Sequence, residues 1–330
     1  MTVPIVTIFG GSGFLGRQIA QRMARQGWRV RVAVRRPDEA NFVRPYGVIG
    51  QVEPIQANIR DDASTRAAIT GATAVVNCVG ILAEAGEQTF DALLDKAAAR
   101  IARLSAEAGV SRLVHISALG ADPASDSLYD AAKGRGEAAV RAAFPGAVVL
   151  RPSVMFGPGD DFFNRFGAMA RLSPVVPLVG PDTRFQPVYV DDVAAAAVNA
   201  VTTSASAGVY ELGGPEVATF RELLQRLLWL VHRRRILFVV PFWLARIKAW
   251  VFDLAPRMTG GAVGNALLTR DQVRQLTRDN VANPNAPGLE ALGVRPTAME
   301  AVLEGYLYVY RPHGQYDAMM ASARNLRSRT

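Results

Sequence analysis

Short blocks of apolar residues alternate with helix-length amphipathic segments through the first half of the chain. The apolar blocks predict strands over 3–9, 28–34, 52–57, 73–79, 111–117 and 146–151. The segments between them predict helices over 14–26, 62–70, 88–108 and 130–143, with a shorter one near 38–45. Several strands are continuously apolar, such as Ala74-Val75-Val76 and Leu113-Val114. That pattern suits a parallel sheet covered on both faces, where no residue of a strand meets water. Strictly alternating β and α segments imply an α/β fold, a doubly wound parallel sheet with right-handed crossovers.

The texture changes after Arg151. Pro152, Gly157-Pro158-Gly159, Pro174, Pro177 and Gly180-Pro181 interrupt any long element. Phe185–Val190 then reads as a strand. Asp191–Val201 reads as an alanine-rich helix with acids in its first turn, where they complement the helix dipole. Past Gly213-Gly214-Pro215 the sequence becomes aromatic, arginine-rich and poorly periodic. The chain therefore divides into a nucleotide-binding region, 1–215, and a smaller C-terminal region, 216–330.

The first strand runs directly into Gly10-Gly11-Ser12-Gly13-Phe14-Leu15-Gly16, and the first helix follows at once. A strand, a glycine turn and a helix N-terminus form a phosphate cradle: glycine allows close backbone approach, and the unpaired N–H groups of the first turn face the anion. The end of the second strand fixes which dinucleotide suits it. An acid there would accept hydrogen bonds from a ribose 2′-hydroxyl, but the sequence reads Val34-Arg35-Arg36-Pro37. A guanidinium fork pairs with a 2′-phosphate, so the expected ligand is NADP(H) rather than NAD(H).

Tyr129 and Lys133 are spaced i, i+4 at the start of the helix 130–143 and so share one helix face. An ammonium beside a phenol favours the phenolate, and such a pair can exchange a proton with a carbonyl while hydride moves to or from nicotinamide.

With these residues the chain resembles the short-chain dehydrogenase/reductase superfamily, in its extended or atypical branch. The likeness is carried by Gly10–Gly16, Asn58-Ile59-Arg60-Asp61, Val76–Gly80, Val114–Gly120, Tyr129–Lys133, Arg151-Pro152-Ser153 and Val190-Asp191-Asp192-Val193. It implies a Rossmann-type sheet. It also implies that Asn58 and Ile59 flank an adenine, that Val79 and Gly80 pass near a ribose, and that Pro152 to Val154 lie near the nicotinamide. Ser117 would stand beside Tyr129. Three departures put proton transfer in doubt: Asn58 stands where extended members carry Asp, Ala118 where a second hydroxyl is common, and Ser117 is close to Tyr129 in sequence. From Tyr129 to Val201 the chain looks most like the family of NADPH-binding accessory subunits of respiratory complex I. That resemblance implies a structural nucleotide, other complex I subunits as partners, and a place near the quinone site at the junction of the two arms. It implies peripheral attachment to the cytoplasmic face of a bacterial inner membrane, or to the matrix side in a mitochondrion.

Charge placement adds to this. The net charge is +8, yet residues 1–220 carry 21 basic and 21 acidic side chains, whereas 221–330 carry 16 and 8. An excess confined to the last third points to an acidic partner for that part. Leu223–Val231, the run His232-Arg233-Arg234-Arg235, and a helix candidate over 242–254 with Trp243, Trp250 and only three charges suit an anionic lipid surface. The competing reading is a buried core helix beneath paired arginines. Nucleic acid is not expected, because no recognition helix or RNA platform is visible. His115, His232 and His313 lack metal-ligand spacing, so no metal is expected, and His115 reads as a packed strand residue. Cys78 is the sole cysteine and reads as a small buried hydrophobe. Met1-Thr2 leads directly into the first strand, so no signal peptide is expected, and no uncharged apolar run is long enough to span a bilayer. Two alternatives share the fold: an active NADP-dependent reductase or epimerase working on a quinone-like or lipid substrate, and a soluble redox-sensing regulator.

Overall fold

The computed structural model describes residues 3–203, 205–244 and 270–316. In chain order its first half runs β1 (Ile5–Phe9), α1 (Phe14–Arg25), β2 (Arg29–Val34), a 3-10 segment (Pro37–Tyr46), β3 (Val52–Gln56), α2 (Asp62–Ile69), β4 (Ala74–Asn77), a π turn (Asp91–Lys96) continuing into α3 (Ala97–Glu107), β5 (Arg112–Ile116), α4 (Leu128–Ala143) and β6 (Val148–Pro152). Each predicted strand and helix of this half is present. Two of them differ in winding: the helix 88–108 opens as a π turn, and the short one near 38–45 is a 3-10 segment with Pro45 inside it.

The second half holds β7 (Met155–Phe156), α5 (Phe162–Leu172), β8 (Val175–Leu178), β9 (Arg184–Phe185), β10 (Val188–Tyr189), α6 (Val190–Thr202), β11 (Gly208–Leu212), β12 (Ala218–Thr219), α7 (Phe220–Leu230), β13 (Ile236–Val239), α8 (Arg270–Gln275) and α9 (Glu300–Leu307). The expected strand over 185–190 is two short strands. Pro187 has no N–H to give a ladder, and the break falls there.

Seven strands form one parallel sheet in the order β11-β6-β5-β4-β1-β2-β3. The order reverses between β1 and β4, and in open α/β sheets that switch point, at the carboxyl ends of the strands, is where ligands bind. One face is covered by α1 and α6, with Ile19, Met23, Val193 and Val198 packed on Val6, Ile8, Val30 and Val114. The other is covered by α2, α3 and α4, with Ile69, Ile101, Leu104 and Val140 against Phe9, Val75 and Leu113. The alternation along the strands assigns these residues to their faces.

Residues past 216 are less irregular than their sequence suggests. Thr219 and Glu222 form a complete capping box at the start of α7. Phe220, Leu223, Leu224 and Leu227 bury one face of that helix with Phe156 and Phe163, and Leu303 and Leu307 of α9 join the same small core. Later residues return to the main sheet's own core: Leu289, Leu292 and Val294 pack beside α6. The helix candidate over 242–254 lies outside the described residues beyond Leu244.

Candidate functional site

Apart from Tyr129 and Lys133 on α4, the residues expected to touch a dinucleotide lie at or just past the carboxyl end of a main-sheet strand. The glycine turn follows β1, Arg35 and Arg36 follow β2, Asn58 and Ile59 follow β3, Val79 and Gly80 follow β4, Ser117 follows β5, and Val154 follows β6, whose last residue is Pro152. The sheet order brings the first and fourth of these groups side by side: a Cβ on Gly10 would meet the Cys78 carbonyl oxygen at 3.1 Å.

The cradle has the geometry that its glycines imply. Gly10 has φ +71°, which other residues rarely adopt, and its carbonyl accepts from the Gly13 N–H at 3.0 Å. A Cβ on Gly16 would stand 2.3 Å from the Gly10 carbonyl oxygen, so helix and turn can close only on glycine. Gly13 is the N-cap of α1 and offers no side-chain acceptor. The first N–H groups of that helix are left for a ligand. Leu15 sends its side chain into the core and Phe14 packs against it, so what they could offer a phosphate is backbone. Ser12 is partly exposed in the same turn. Arg17 was not among the expected residues. Its guanidinium lies over the Phe14 ring and donates to the Pro158 carbonyl at 3.2 Å, which sets a cation beside the turn.

At the far end of β2, Arg35, Arg36, Pro37, Asp38, Glu39 and Gln56 line an open cleft of about 460 Å³. Arg36 is paired with Glu39 at 2.8 Å. Arg35 is exposed and has no ion-pair partner among the described residues. Asn58 is fixed by its own turn: its N–H donates to Ser64 Oγ at 2.8 Å and its Oδ1 accepts from the Arg60 N–H. The Ile59 carbonyl accepts from Arg100 at 2.9 Å.

The reactive end is buried. Asn77 Oδ1 accepts from the Val79 N–H, so its amide nitrogen is the donor to His115 Nδ1, at 3.1 Å. Burial, and then the nearby Lys133 ammonium, push His115 down to about 3. The ring is therefore neutral, and its proton sits on Nε2, a buried atom without a partner. His115 is thus the packed strand residue that was expected, with one donor in reserve. Burial pushes the Cys78 thiol up to about 12, against the pull of Lys133. Ser117 Oγ is also buried and unpartnered. Buried polar atoms are normally satisfied, so an orphaned hydroxyl at the end of β5 fits a polar ligand atom reaching this point.

The Tyr129–Lys133 pair departs from expectation. Lys133 is buried and its Nζ donates to the Ile116 carbonyl at 2.9 Å. Burial lowers its ammonium to about 8, with Cys78 and Glu137 opposing. The Tyr129 phenol is held above its ordinary range, first by burial and then by the Asp130 and Asp271 carboxylates. The sequence argument had Lys133 lowering that phenol. Here the ammonium is turned to a backbone carbonyl, and the charges acting on the phenol are negative. The Tyr129 ring meets Phe90 edge-on, with centroids 5.6 Å apart.

Two further residues reach this end from the C-terminal region. Asp271 accepts from the Leu128 N–H at 2.8 Å, the Tyr129 N–H at 3.1 Å and Ser127 Oγ at 2.9 Å. Asn280 Oδ1 accepts from Ser153 Oγ at 2.6 Å and the Val154 N–H at 3.1 Å. No short-range signal marks either residue, because their partners lie more than a hundred positions away in sequence.

Residues 6–213 match the NAD dependent epimerase/dehydratase family. The NADH dehydrogenase (ubiquinone) 1 alpha subcomplex subunit 9 of Arabidopsis thaliana, mitochondrial, is 32% identical over 316 residues, covering 94% of this chain and 79% of the relative. The chain belongs to the complex I subunit branch of the NAD dependent epimerase/dehydratase family. That branch is one of complex I accessory subunits on a short-chain dehydrogenase-like scaffold. A ceramide reductase of Caulobacter vibrioides is also similar, 34% identical over 191 residues that cover 58% of this chain and 59% of the reductase. The fold is shared with the Bordetella bronchiseptica enzyme WbmG, solved in complex with NAD, at a TM-score of 0.66 and 16% identity over 94% of each chain. Membership in the family and this fold make the chain a nucleotide-binding Rossmann fold. No helix among the described residues is long and apolar enough to cross a membrane.

Proposed function

We propose that this chain is an accessory subunit of respiratory complex I that holds NADP(H) as a structural part and does no chemistry of its own. The supporting observation is the contrast within the site: a complete phosphate cradle stands beside a Tyr129–Lys133 pair whose charges oppose a phenolate. Gly10 to Gly16 would hold the pyrophosphate, and Arg35, with Arg36, the 2′-phosphate. Asn58 and Ile59 would flank the adenine, and Val79 and Gly80 a ribose. Ser117, Tyr129, Lys133, Pro152 and Val154 would hold the nicotinamide end. Bound NADPH carries a hydride; the residues around it position the nucleotide and exclude water. A ligand bound only to the folded state stabilises that state by mass action, so a tightly held nucleotide serves as a structural element.

The partners in this reading are other complex I subunits and an anionic membrane surface, reached from the cytoplasmic face of a bacterial inner membrane. The lipid part is supported by the ribbon of β8 and β13. Val176, Leu178 and Leu237 face the small core. Their neighbours Ile236 and Phe238 stand 67% and 55% exposed on the other side, and Trp229 and Trp243, before and after β13 in sequence, are exposed too. No acid lies between Asp161 and Asp182 or between Glu222 and Asp253, so the only charges in either stretch are basic. Basic residues beside exposed apolar side chains gain about 1 kcal/mol each near an anionic leaflet.

The test is native purification from membranes in mild detergent, with the nucleotide released and identified by mass spectrometry. Co-migration with NADH:ubiquinone oxidoreductase activity and stoichiometric NADP(H) are expected. Recovery free of membranes and large assemblies, or without nucleotide, sinks the proposal. The likeness to a ceramide reductase favours a second reading, an NADP-dependent reductase of a lipid ketone. It is selected instead if purified protein oxidises NADPH with such a substrate and Tyr129→Phe abolishes the reaction.

A further inference from the structure

Helix α4 carries Tyr129 and Lys133, and its first turn is held from outside. The N–H groups of a first helical turn have no intrahelical partner. Ser127 takes one of them, accepting from the Asp130 N–H at 3.2 Å. The Leu128 and Tyr129 N–H groups go to the Asp271 carboxylate, which also accepts from the hydroxyl of that same Ser127. An anion at a helix N-terminus with three donors is a charge-assisted arrangement. The next residues keep to the same course: Arg274 donates to the Asp126 carbonyl, Gln275 to Asp130 Oδ1 at 3.3 Å, and Arg278 to Asp126. Thr183 Oγ1 donates to the Leu276 carbonyl at 2.6 Å, and the Asn280 backbone is bonded on both sides, to Arg184 and Gln186. The Asn280 side chain then takes Ser153 Oγ and the Val154 N–H.

One short stretch of chain therefore binds both rims of the reactive end, the Tyr129 turn on one side and the Ser153–Val154 turn on the other. We propose that residues 271–280 are a strap that positions the nicotinamide end of the site, with Asp271 and Asn280 as its positioning residues. The strap couples the C-terminal region to nucleotide retention. It acts on the nicotinamide half alone, because its hydrogen bonds to described residues go to the Tyr129 and Ser153–Val154 rims and to 183–186, not to the glycine turn or the Arg35 cleft. This rests on the dinucleotide reading of the site.

The experiment compares two ligands on the full-length protein, NADPH and adenosine 2′,5′-bisphosphate, which carries the 2′-phosphate and lacks the nicotinamide half. Both are titrated calorimetrically into wild type, Asp271→Ala and Asn280→Ala. Asn280→Ala removes only the side-chain acceptor and keeps the backbone bonds, so it stands in if Asp271→Ala does not fold. Each variant is expected to weaken NADPH about tenfold, the loss of charged or buried hydrogen bonds, and to leave the bisphosphate unchanged. Amide exchange at Leu128 and Tyr129 should rise in Asp271→Ala. Equal loss for both ligands means general destabilisation and overturns the proposal, as does unchanged affinity for NADPH. If wild type binds neither ligand, the dinucleotide reading itself has failed. If wild type binds both and the variants do not separate them, the strap alone has failed.

Discussion

At the phosphate end of the site, α1 begins on a glycine with no side-chain cap, and Arg35 stands exposed without an ionic partner among the described residues. At the reactive end, 128–133, the first turn of α4 is already satisfied by Asp271, and Lys133 is buried on a backbone carbonyl. One end keeps its donors free for a ligand, while the other spends most of them within the protein. An enzyme needs the reverse economy at its reacting groups, where a phenol must be able to lose its proton and regain it. Burial and two carboxylates hold the Tyr129 phenol protonated instead. The difference teaches that a site can keep its grip on a nucleotide while the groups that would use it are locked.

The largest expected break of this contrast is Gly16→Ala. Its Cβ would lie 2.3 Å from the Gly10 carbonyl oxygen and 2.7 Å from the Gly11 Cα, so the turn must open. Nucleotide binding should fall below detection by calorimetry, with a clear drop in melting temperature. Arg35→Ala tests the other part of the open end. Loss of a charge-assisted pair worth about 1.5–3 kcal/mol should weaken NADP(H) roughly ten- to a hundredfold and leave NAD(H) unchanged. A preference that survives the substitution would assign the 2′-phosphate elsewhere.

Away from the site, Phe238→Asp places an acid on the exposed side of the β8–β13 ribbon. Binding to anionic vesicles in a flotation assay should fall roughly tenfold, with the melting temperature kept.

At the closed end, Asp130 is raised to about 6, chiefly by burial, with Ser127 lowering it, Asp271 raising it, and Arg278 and Gln275 lowering it. A carboxyl whose folded pKa is raised binds its proton more tightly in the folded state. Its contribution is therefore fully present below the unfolded value near 4 and is lost as pH rises through 6. Asp130→Asn should raise stability at pH 7.5 by about 2–3 kcal/mol at most and change little at pH 4, read from denaturant midpoints. The smallest effect is expected from Tyr129→Phe, which keeps the ring at the nicotinamide end and should weaken NADPH retention by a few fold at most. A marked loss of NADPH affinity would show that the hydroxyl is engaged with the ligand.

Much of the open end was legible residue by residue. The glycines, the two arginines and Asn58-Ile59 each follow directly on a strand, so the strand pattern placed them together at one edge. Lys133 and Tyr129 were found as a pair, and departures elsewhere in the sequence already spoke against proton transfer: spacing on a helix fixes which face they share, while the phenol's ionisation depends on what else is buried around it. Helix α7 was hidden in an arginine-rich, aromatic stretch because its apolar face is packed on other aromatic side chains.

The sequence by itself determined the doubly wound sheet, the glycine cradle and the family, since each rests on patterns of neighbouring residues that local backbone geometry turns into structure. Only the tertiary structure decided what surrounds the reacting groups. Asp271 and Asn280 reach Tyr129 and Val154 across more than a hundred residues, and the burial that raises one pKa and lowers another exists only once the sheet, α4 and the returning C-terminal segment are packed together.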